Sequence, residues 1–432
     1  MKILNLYSYL LLLVTTSPII INASKVSYAG YKVYRVHDLP TNFPSPFPLP
    51  FPTIELQRRL ESIDIAIPPE HVPLLSSTTT TTWEILSEDL GVDIDLESTT
   101  HITKYVKEEE GELPSLSWFN TYHDYADHVE YWKDLQLAFP NNSELFSVGK
   151  SFEGRDIQGI HLWGKEEGGG KKKRKNKEVI LFHGNVHARE WITSMVVEYI
   201  LYQLINGYNN EDELVVKILD NYDFYILPIV NPDGFIYTQT TDRLWRKNRQ
   251  VRKNTTTTSI GTDINRNWQI GFGGPGSSMN PSSETFSGFE PHDTPETFAL
   301  ATFVVDEILS RQDRKIKLYV DWHSYAQTIL LSYGYVCDEF PHNIEDQENL
   351  ARGMAEAIAD VYNTTFIHGP GCKVLYQSSG NGRDYLTDVG KAEFGWGVEL
   401  RDTKFGFLLP AEQILPSGVE VWEGLRYVWT QF

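Results

Sequence analysis

Glu178-Val-Ile-Leu-Phe-His-Gly-Asn-Val-His-Ala-Arg-Glu-Trp191 decides how this chain folds and where its chemistry sits. Residues 178–183 are a run of strand formers. From Trp191 to Ile205 the pattern turns helical. Between the two, His187-Ala188-Arg189-Glu190-Trp191 sets an imidazole, a guanidinium and a carboxylate at a strand-to-helix junction. A His and a Glu three apart at such a junction reach one metal ion from the same side. Zinc accepts both ligand types, and a catalytic zinc needs one further protein ligand and an open position.

Outward from this junction, strand and helix signals alternate. Strands are predicted at 145–148, 157–163, 179–183, 224–230, 318–322 and 394–400. Helices are predicted at 125–139, 191–205, 211–221, 295–311 and 347–362. The alternation implies an α/β fold of three layers, with helices on both faces of a largely parallel or mixed central sheet. In such folds, sites form beyond the carboxyl ends of the strands. Residues 24 to about 113 differ in character. They carry a Pro-rich insert at 39–52 and a low-complexity run at 76–82. Around these a small α/β unit is predicted, with a strand within 25–36 and helices at 54–63 and 83–90. The acidic stretch 107–112 reads as a solvated linker.

A chain of 432 residues accommodates one large domain and a smaller one. The formal net charge of −20 argues against a nucleic-acid binder. Residues 1–23 read as a secretory signal, with Lys2 in the charged region, an apolar run through Leu10 to Val14, and Ala23 at the cleavage site. A membrane anchor is the alternative, opposed by the polar interruptions Asn5, Ser8 and Thr15-Thr16-Ser17-Pro18. No later stretch is long and apolar enough to span a bilayer. In an oxidising compartment, the two cysteines, Cys337 and Cys372, are expected to form one disulfide. Asn141, Asn254 and Asn363 are candidate glycan sites. The basic loop 165–177 reads as a flexible insertion between strands, with a processing site or acidic partner as alternatives.

The third metal ligand should be a His at the end of another buried strand. His323 follows Lys317-Leu-Tyr-Val-Asp-Trp322 and opens into Ser324-Tyr325. A lone His of this kind is more often structural, so the case rests on its surroundings. Three polar clusters have comparable placement: Arg243-Leu-Trp-Arg-Lys-Asn-Arg249, Gly261-Thr-Asp-Ile-Asn-Arg-Asn-Trp268 and Val398-Glu399-Leu-Arg-Asp402. The last sets a carboxylate in an otherwise apolar strand, which is costly unless it is paired or catalytic.

With these motifs, the chain resembles the zinc metallocarboxypeptidases of the carboxypeptidase A/B subfamily, including their signal and pro-region. The resemblance is strong over roughly residues 115–432. It rests on His187-Ala-Arg-Glu-Trp191, Val230-Asn-Pro-Asp-Gly-Phe235, Leu244-Trp-Arg-Lys-Asn-Arg249, Asp263-Ile-Asn-Arg-Asn-Trp268, His323-Ser-Tyr325, Tyr376 with Gly380, Glu399-Leu-Arg-Asp402 and Gly406-Phe-Leu-Leu-Pro410. It implies a signal peptide at 1–23, a pro-segment at 24–113 and a catalytic domain at 114–432. Over 25–113 the likeness is mainly one of position and length.

By this resemblance His187, Glu190 and His323 are the ligands of one Zn2+, a two-His, one-Glu set. Asp263 is the carboxylate that fixes the tautomer of His187. Glu399 is the general base acting on zinc-bound water, and Arg246 polarises the scissile carbonyl. Asn265 and Arg266 clamp the substrate's terminal carboxylate, and Tyr376 closes over it. Arg189, Tyr325 and Phe407 line outer subsites. Arg383 matches the base of the pocket for the C-terminal side chain, which implies a preference for acidic C-termini. The alternative is that Arg383 turns aside to a neighbouring carboxylate. Cys337 and Cys372 fall where some members carry a disulfide.

The resemblance thus implies a secreted, monomeric pro-enzyme acting on peptide C-termini, inhibited by its own pro-segment. Activation would need a protease cutting near residues 104–115, where Lys104 and Lys107 offer sites. A vacuole-like compartment is the alternative destination. A non-catalytic relative that binds peptides or acts at the cell wall is the alternative function. Retention of Glu399, Arg246, Asn265 and Arg266 argues against it. A zinc endopeptidase is opposed by the clamp and by the lack of a His-Glu-x-x-His motif.

Overall fold

The computed structural model of the protein describes residues 25–41, 43, 47–77, 82–100, 105–106, 109, 111–165, 177–252, 259–310 and 314–432. The expected signal, Lys104, Lys107, the sequon at Asn254 and most of the basic loop lie outside the described residues.

Alternating apolar residues near the amino terminus make strands rather than helices. β1 (Lys32–Val36), β2 (Ile54–Arg58), β3 (Ile63–Ile67) and β4 (Trp83–Ser87) form an antiparallel sheet in the order β2-β3-β1-β4. The helices predicted at 54–63 and 83–90 are therefore corrected to strands. Glu55, Leu56, Gln57 and Arg58 favour a helix in isolation, but Ile54 and Leu56 share one strand face and pack toward Leu244, Tyr325 and Phe407. That packing overrides a weak local preference. Trp83 packs edge-on against Tyr34, with ring centroids 5.7 Å apart. The helix of this unit is α1 (Leu90–Thr100).

The larger body runs α2 (Tyr125–Leu137), β5 (Ser143–Lys150), β6 (Asp156–Leu162), β7 (Glu178–Gly184), α3 (Trp191–Asn209), α4 (Glu213–Asn221), β8 (Tyr222–Leu227), α5 (Pro232–Thr240) and α6 (Pro295–Thr302). It continues with β9 (Ile316–Ser324), β10 (Thr328–Leu331), α7 (Ile344–Tyr362), β11 (Ile367–Pro370), α8 (Gly371–Val374), α9 (Gly382–Asp388), β12 (Phe394–Leu400) and α10 (Ile414–Thr430). Its eight strands are ordered β11-β10-β12-β9-β7-β8-β6-β5. The central four, β12, β9, β7 and β8, are parallel, and antiparallel pairs flank them. The sheet is mixed, as expected.

Side chains alternate across this sheet. Ile180 and Phe182 of β7 join the core formed with α2, α3, α7 and α10, whereas Val179 and Leu181 join the core with α6 and α9. Both faces are thus covered, giving three layers. β8 stops at Leu227, short of the predicted 230, because Pro228 has no N–H for the ladder. The predicted helix 295–311 is α6 followed by a π-helix, Phe303–Leu309. α10 carries Pro416 in its first turn, where proline is tolerated. A Cβ at its Gly418 would lie 2.6 Å from the Tyr199 ring, so glycine lets α10 approach α3 closely. Cys337 and Cys372 are joined in a disulfide that ties the loop after β10 to α8. Asn141 and Asn363 are exposed. Among the described residues no helix is long and apolar enough to cross a membrane.

Candidate active site and metal centre

The strand order reverses about β7, whose neighbours are β8 on one side and β9 on the other. Such a switch opens a crevice beyond the strand ends. The chain leaves β7 through Asn185, at φ 53°, a conformation that Asn tolerates better than most residues. The turn that follows is pinned from several sides. Ala188 N–H donates to Arg246 O at 3.0 Å, Asn231 Nδ2 donates to Val186 O at 3.0 Å, and Thr193 Oγ1 donates to Glu190 O at 2.8 Å. His187 and Glu190 are held rigidly as a result. His323, near the end of β9, pairs in register with Glu399 of β12.

His187, Glu190 and His323 are all buried and converge, with one ligand atom from each lying within 4.8 Å of the others. His187 Nδ1 is 2.7 Å from Glu190 Oε1, and His323 Nδ1 is 3.1 Å from Glu190 Oε2. The two Nδ1 atoms are 3.2 Å apart. Two ring nitrogens and one carboxylate facing a common point are the donor set of a catalytic zinc, so the residues fit that ion. Burial raises the Glu190 pKa, but His187 and His323 outweigh it and hold the carboxyl far below its ordinary range.

The distal nitrogen of each histidine meets a carboxylate. His187 Nε2 lies 3.2 Å from Asp263 Oδ1, and Asp263 Oδ2 accepts from Arg246 Nε and Nη2 at 3.1 and 2.9 Å. His323 Nε2 lies 2.8 Å from Asp321 Oδ2. Asp321 escaped the reading of the sequence. The available signal was its place two residues before His323, on the same face of the strand.

Glu399 has a buried oxygen, Oε2, with no hydrogen-bond partner. Burial pushes its carboxyl up to about 7, with Glu190 and Asp321 adding to the rise and His323 and Arg246 opposing it. A carboxylate so placed is poised near neutrality for proton transfer. A divalent cation beside it would draw that value down.

Arg266, Asn265 and Tyr376 come together. Arg266 Nη2 donates to the Tyr376 hydroxyl at 2.9 Å, while its Nε and Nη1 are tied to Gly276 O and Asn265 O. Asn265 Oδ1 accepts from Gly382 N–H at 2.9 Å. Arg383 is buried in a space that glycines leave open, since a Cβ at Gly334 or Gly371 would fall 2.0 or 2.3 Å from its Nη2. Its nearest carboxylate, Asp384 Oδ1, is 3.7 Å from Nε. Asp384 itself is engaged by the N–H groups of Gly334 and Tyr335 and by Asn381 Nδ2.

Arg189, Tyr325 and Phe407 also cluster, with Arg189 4.3 Å over the Phe407 ring and the Tyr325 and Phe407 rings 4.9 Å apart. The amino-terminal unit lies on top of them. Arg189 Nη2 donates to Leu56 O at 3.2 Å, and the Tyr325 hydroxyl donates to Asp64 Oδ2 at 2.9 Å. Asp64 is paired within its own unit to Arg35 and Arg59. From α1, Glu97 makes a buried ion pair with Arg243, whose guanidinium stacks 3.7 Å over Trp191.

The sequence profile described as zinc carboxypeptidase matches residues 128–424. A metallocarboxypeptidase A-like protein of Trichophyton verrucosum is 38% identical over 424 residues, spanning 95% of each chain. Carboxypeptidase A2 of Rattus norvegicus is 32% identical, over 80% of this chain and 78% of its own. The crystal structure of the carboxypeptidase A from Helicoverpa armigera superposes with a TM-score of 0.77 at 26% identity, covering 94% of this chain and 97% of that one.

Proposed function

Because the chain belongs to the zinc carboxypeptidase family, we propose that it removes single residues from free peptide C-termini, with Glu399 as its general base. The observation that carries this reading is the convergence of His187, Glu190 and His323 beside Glu399, whose Oε2 is buried and not hydrogen-bonded by any protein group. His187 Nδ1, His323 Nδ1 and the Glu190 carboxylate would hold the zinc. When bound, the ion supplies a Lewis acid that acidifies water and polarises a peptide carbonyl.

The chain's own groups do the rest. Glu399 takes a proton from the attacking water and returns it to the leaving amine. Arg246, aligned by Asp263, donates to the developing oxyanion. Asn265 and Arg266 receive the terminal carboxylate, for which a planar guanidinium offers two parallel donors. The Tyr376 hydroxyl accepts from Arg266 Nη2 at 2.9 Å, a donor that the terminal carboxylate would take over. That clamp makes the reaction exopeptidic.

Arg383 sets the specificity in this reading. A buried guanidinium whose Nε has no hydrogen-bond partner favours an acidic C-terminal side chain. Hydrolysis of blocked dipeptides ending in Glu, Phe and Arg tests it. Glu should be cleaved fastest, and Arg383→Ile should move the preference to Phe. Fastest cleavage of Phe by the unmodified enzyme would sink the assignment.

Residues 24–113 act as the pro-segment, and support comes from the atoms they cover. Leu56 and Asp64 engage Arg189 and Tyr325, two of the three groups assigned to outer subsites. Secretion, cutting near Lys104 and Lys107, and glycosylation at Asn141, Asn254 and Asn363 complete the reading.

A further inference from the structure

We propose that Asp321 is a positioning residue for the metal ligand His323, and that Asp321, His183 and Tyr319 form a buried chain joining the metal centre to the floor of the specificity pocket. The proposal rests on the zinc reading above.

His323 turns Nδ1 toward Glu190 and His187. A neutral imidazole that offers Nδ1 to a metal carries its proton on Nε2. Two groups lie within reach of Nε2: Asp321 Oδ2 at 2.8 Å and Asn265 Nδ2 at 3.0 Å. The Asn265 amide is oriented by Gly382 N–H, which donates to its Oδ1. Its NH2 therefore faces the ring, and NH2 is a donor. Among the described residues Asp321 is left as the acceptor for the His323 proton.

Asp321 is itself backed by further groups. Its Oδ1 lies 3.3 Å from His183 Nδ1, and His183 Nε2 lies 2.6 Å from the Tyr319 hydroxyl. Tyr319, Asp321 and His323 project from one face of β9, and His183 of β7 pairs in register with Asp321. All four side chains are buried. Placing an imidazole, a carboxylate and a phenol in a core is costly unless they satisfy one another. Here His323 with Asp321 and His183 with Tyr319 do so, while Asp321 Oδ1 and His183 Nδ1 face each other at 3.3 Å with no hydrogen-bond partner of their own, and the line ends on His323. The far end of the line abuts α9, since a Cβ at Gly382 would fall 2.7 Å from the Tyr319 hydroxyl. Gly382 immediately precedes Arg383.

Each metal-binding histidine thus has its own carboxylate, Asp263 behind His187 and Asp321 behind His323. Such partners fix ring orientation and tautomer, and losing one weakens metal binding by about 10- to 100-fold.

The test uses the full chain, stripped of metal and titrated with zinc against a chromophoric chelator. An unmodified chain that takes up no zinc would overturn the metal reading itself, before any variant is made. Given zinc binding, Asp321→Asn should raise the zinc Kd tenfold or more and alter the visible spectrum of the cobalt-substituted protein. A merely structural role would lower the melting temperature of the apo-protein without moving either. Tyr319→Phe, which removes one hydroxyl from the end of the line, should raise the Kd threefold or more, and it decides the matter if Asp321→Asn does not fold. Kd changes below those thresholds, with an unaltered cobalt spectrum, overturn the proposal.

Discussion

Glu399 has a buried oxygen that no protein group hydrogen-bonds, as does Asp321, whereas Glu190 and Asp263 are held on both oxygens. Glu190, Asp263 and Asp321 are each held by histidine, arginine or backbone donors. Glu399→Gln should therefore abolish turnover while leaving zinc stoichiometry at one, measured by metal analysis. Full retained activity would refute the assigned base. The base works ionised, so kcat/KM should fall as the pH drops through the Glu399 pKa, at or below about 7 once a cation lowers it. The stability consequence has the opposite sense. A raised folded-state pKa favours folding while the group is protonated. That contribution is complete below about 4.5 and is lost as pH rises through about 7. The metal-free Glu399→Gln protein should accordingly be more stable to unfolding than the unmodified one at pH 8, by up to about 3 kcal/mol, and equally stable at pH 4. Equal stability at pH 8 would show that burial does not strain this carboxyl.

At the scale of elements, the legible parts were those whose local pattern agrees with the fold. β7, β9 and β12 are nearly continuous apolar runs, as central parallel strands are, and each ends in a residue that does not belong in a core: the His187 turn, His323 and Glu399. Their roles came from the family resemblance rather than from spacing. β10 and β11, four residues each, are too short to show a period, and Pro416 and Gly418 disguised α10. Asp321 was hidden because a carboxylate on a strand says nothing of its partners until β7 and β9 are in register. β2 and β4 were misread because their composition suits a helix and only pairing with β3 and β1 makes them strands. The α1 contact gives a prediction at this scale. Removing one member of a buried ion pair costs about 3–5 kcal/mol, and Glu97 is such a member, facing Arg243. Glu97→Gln should loosen the amino-terminal unit and raise turnover of a small blocked dipeptide by the intact chain at least tenfold. Unchanged turnover would mean that α1 does not hold the cover in place.

Across the whole molecule, two units meet at the residues assigned to substrate. Tyr28, Leu56 and Leu90 of the smaller unit pack with Leu244, Tyr325 and Phe407 of the larger one. The larger one carries every proposed catalytic and metal-binding group. The intact chain should then be nearly inactive and should gain activity on cutting between residues 104 and 115. The most direct test follows the masses of products when the cut enzyme meets a peptide ending in Glu, beside the same peptide with an amidated C-terminus. The expected result is stepwise loss of single residues from the free acid, starting with Glu, no change in the amide, and no reaction after chelation of the metal. Internal fragments, cleavage of the amide, or no cleavage by a protein that holds one zinc would contradict the account.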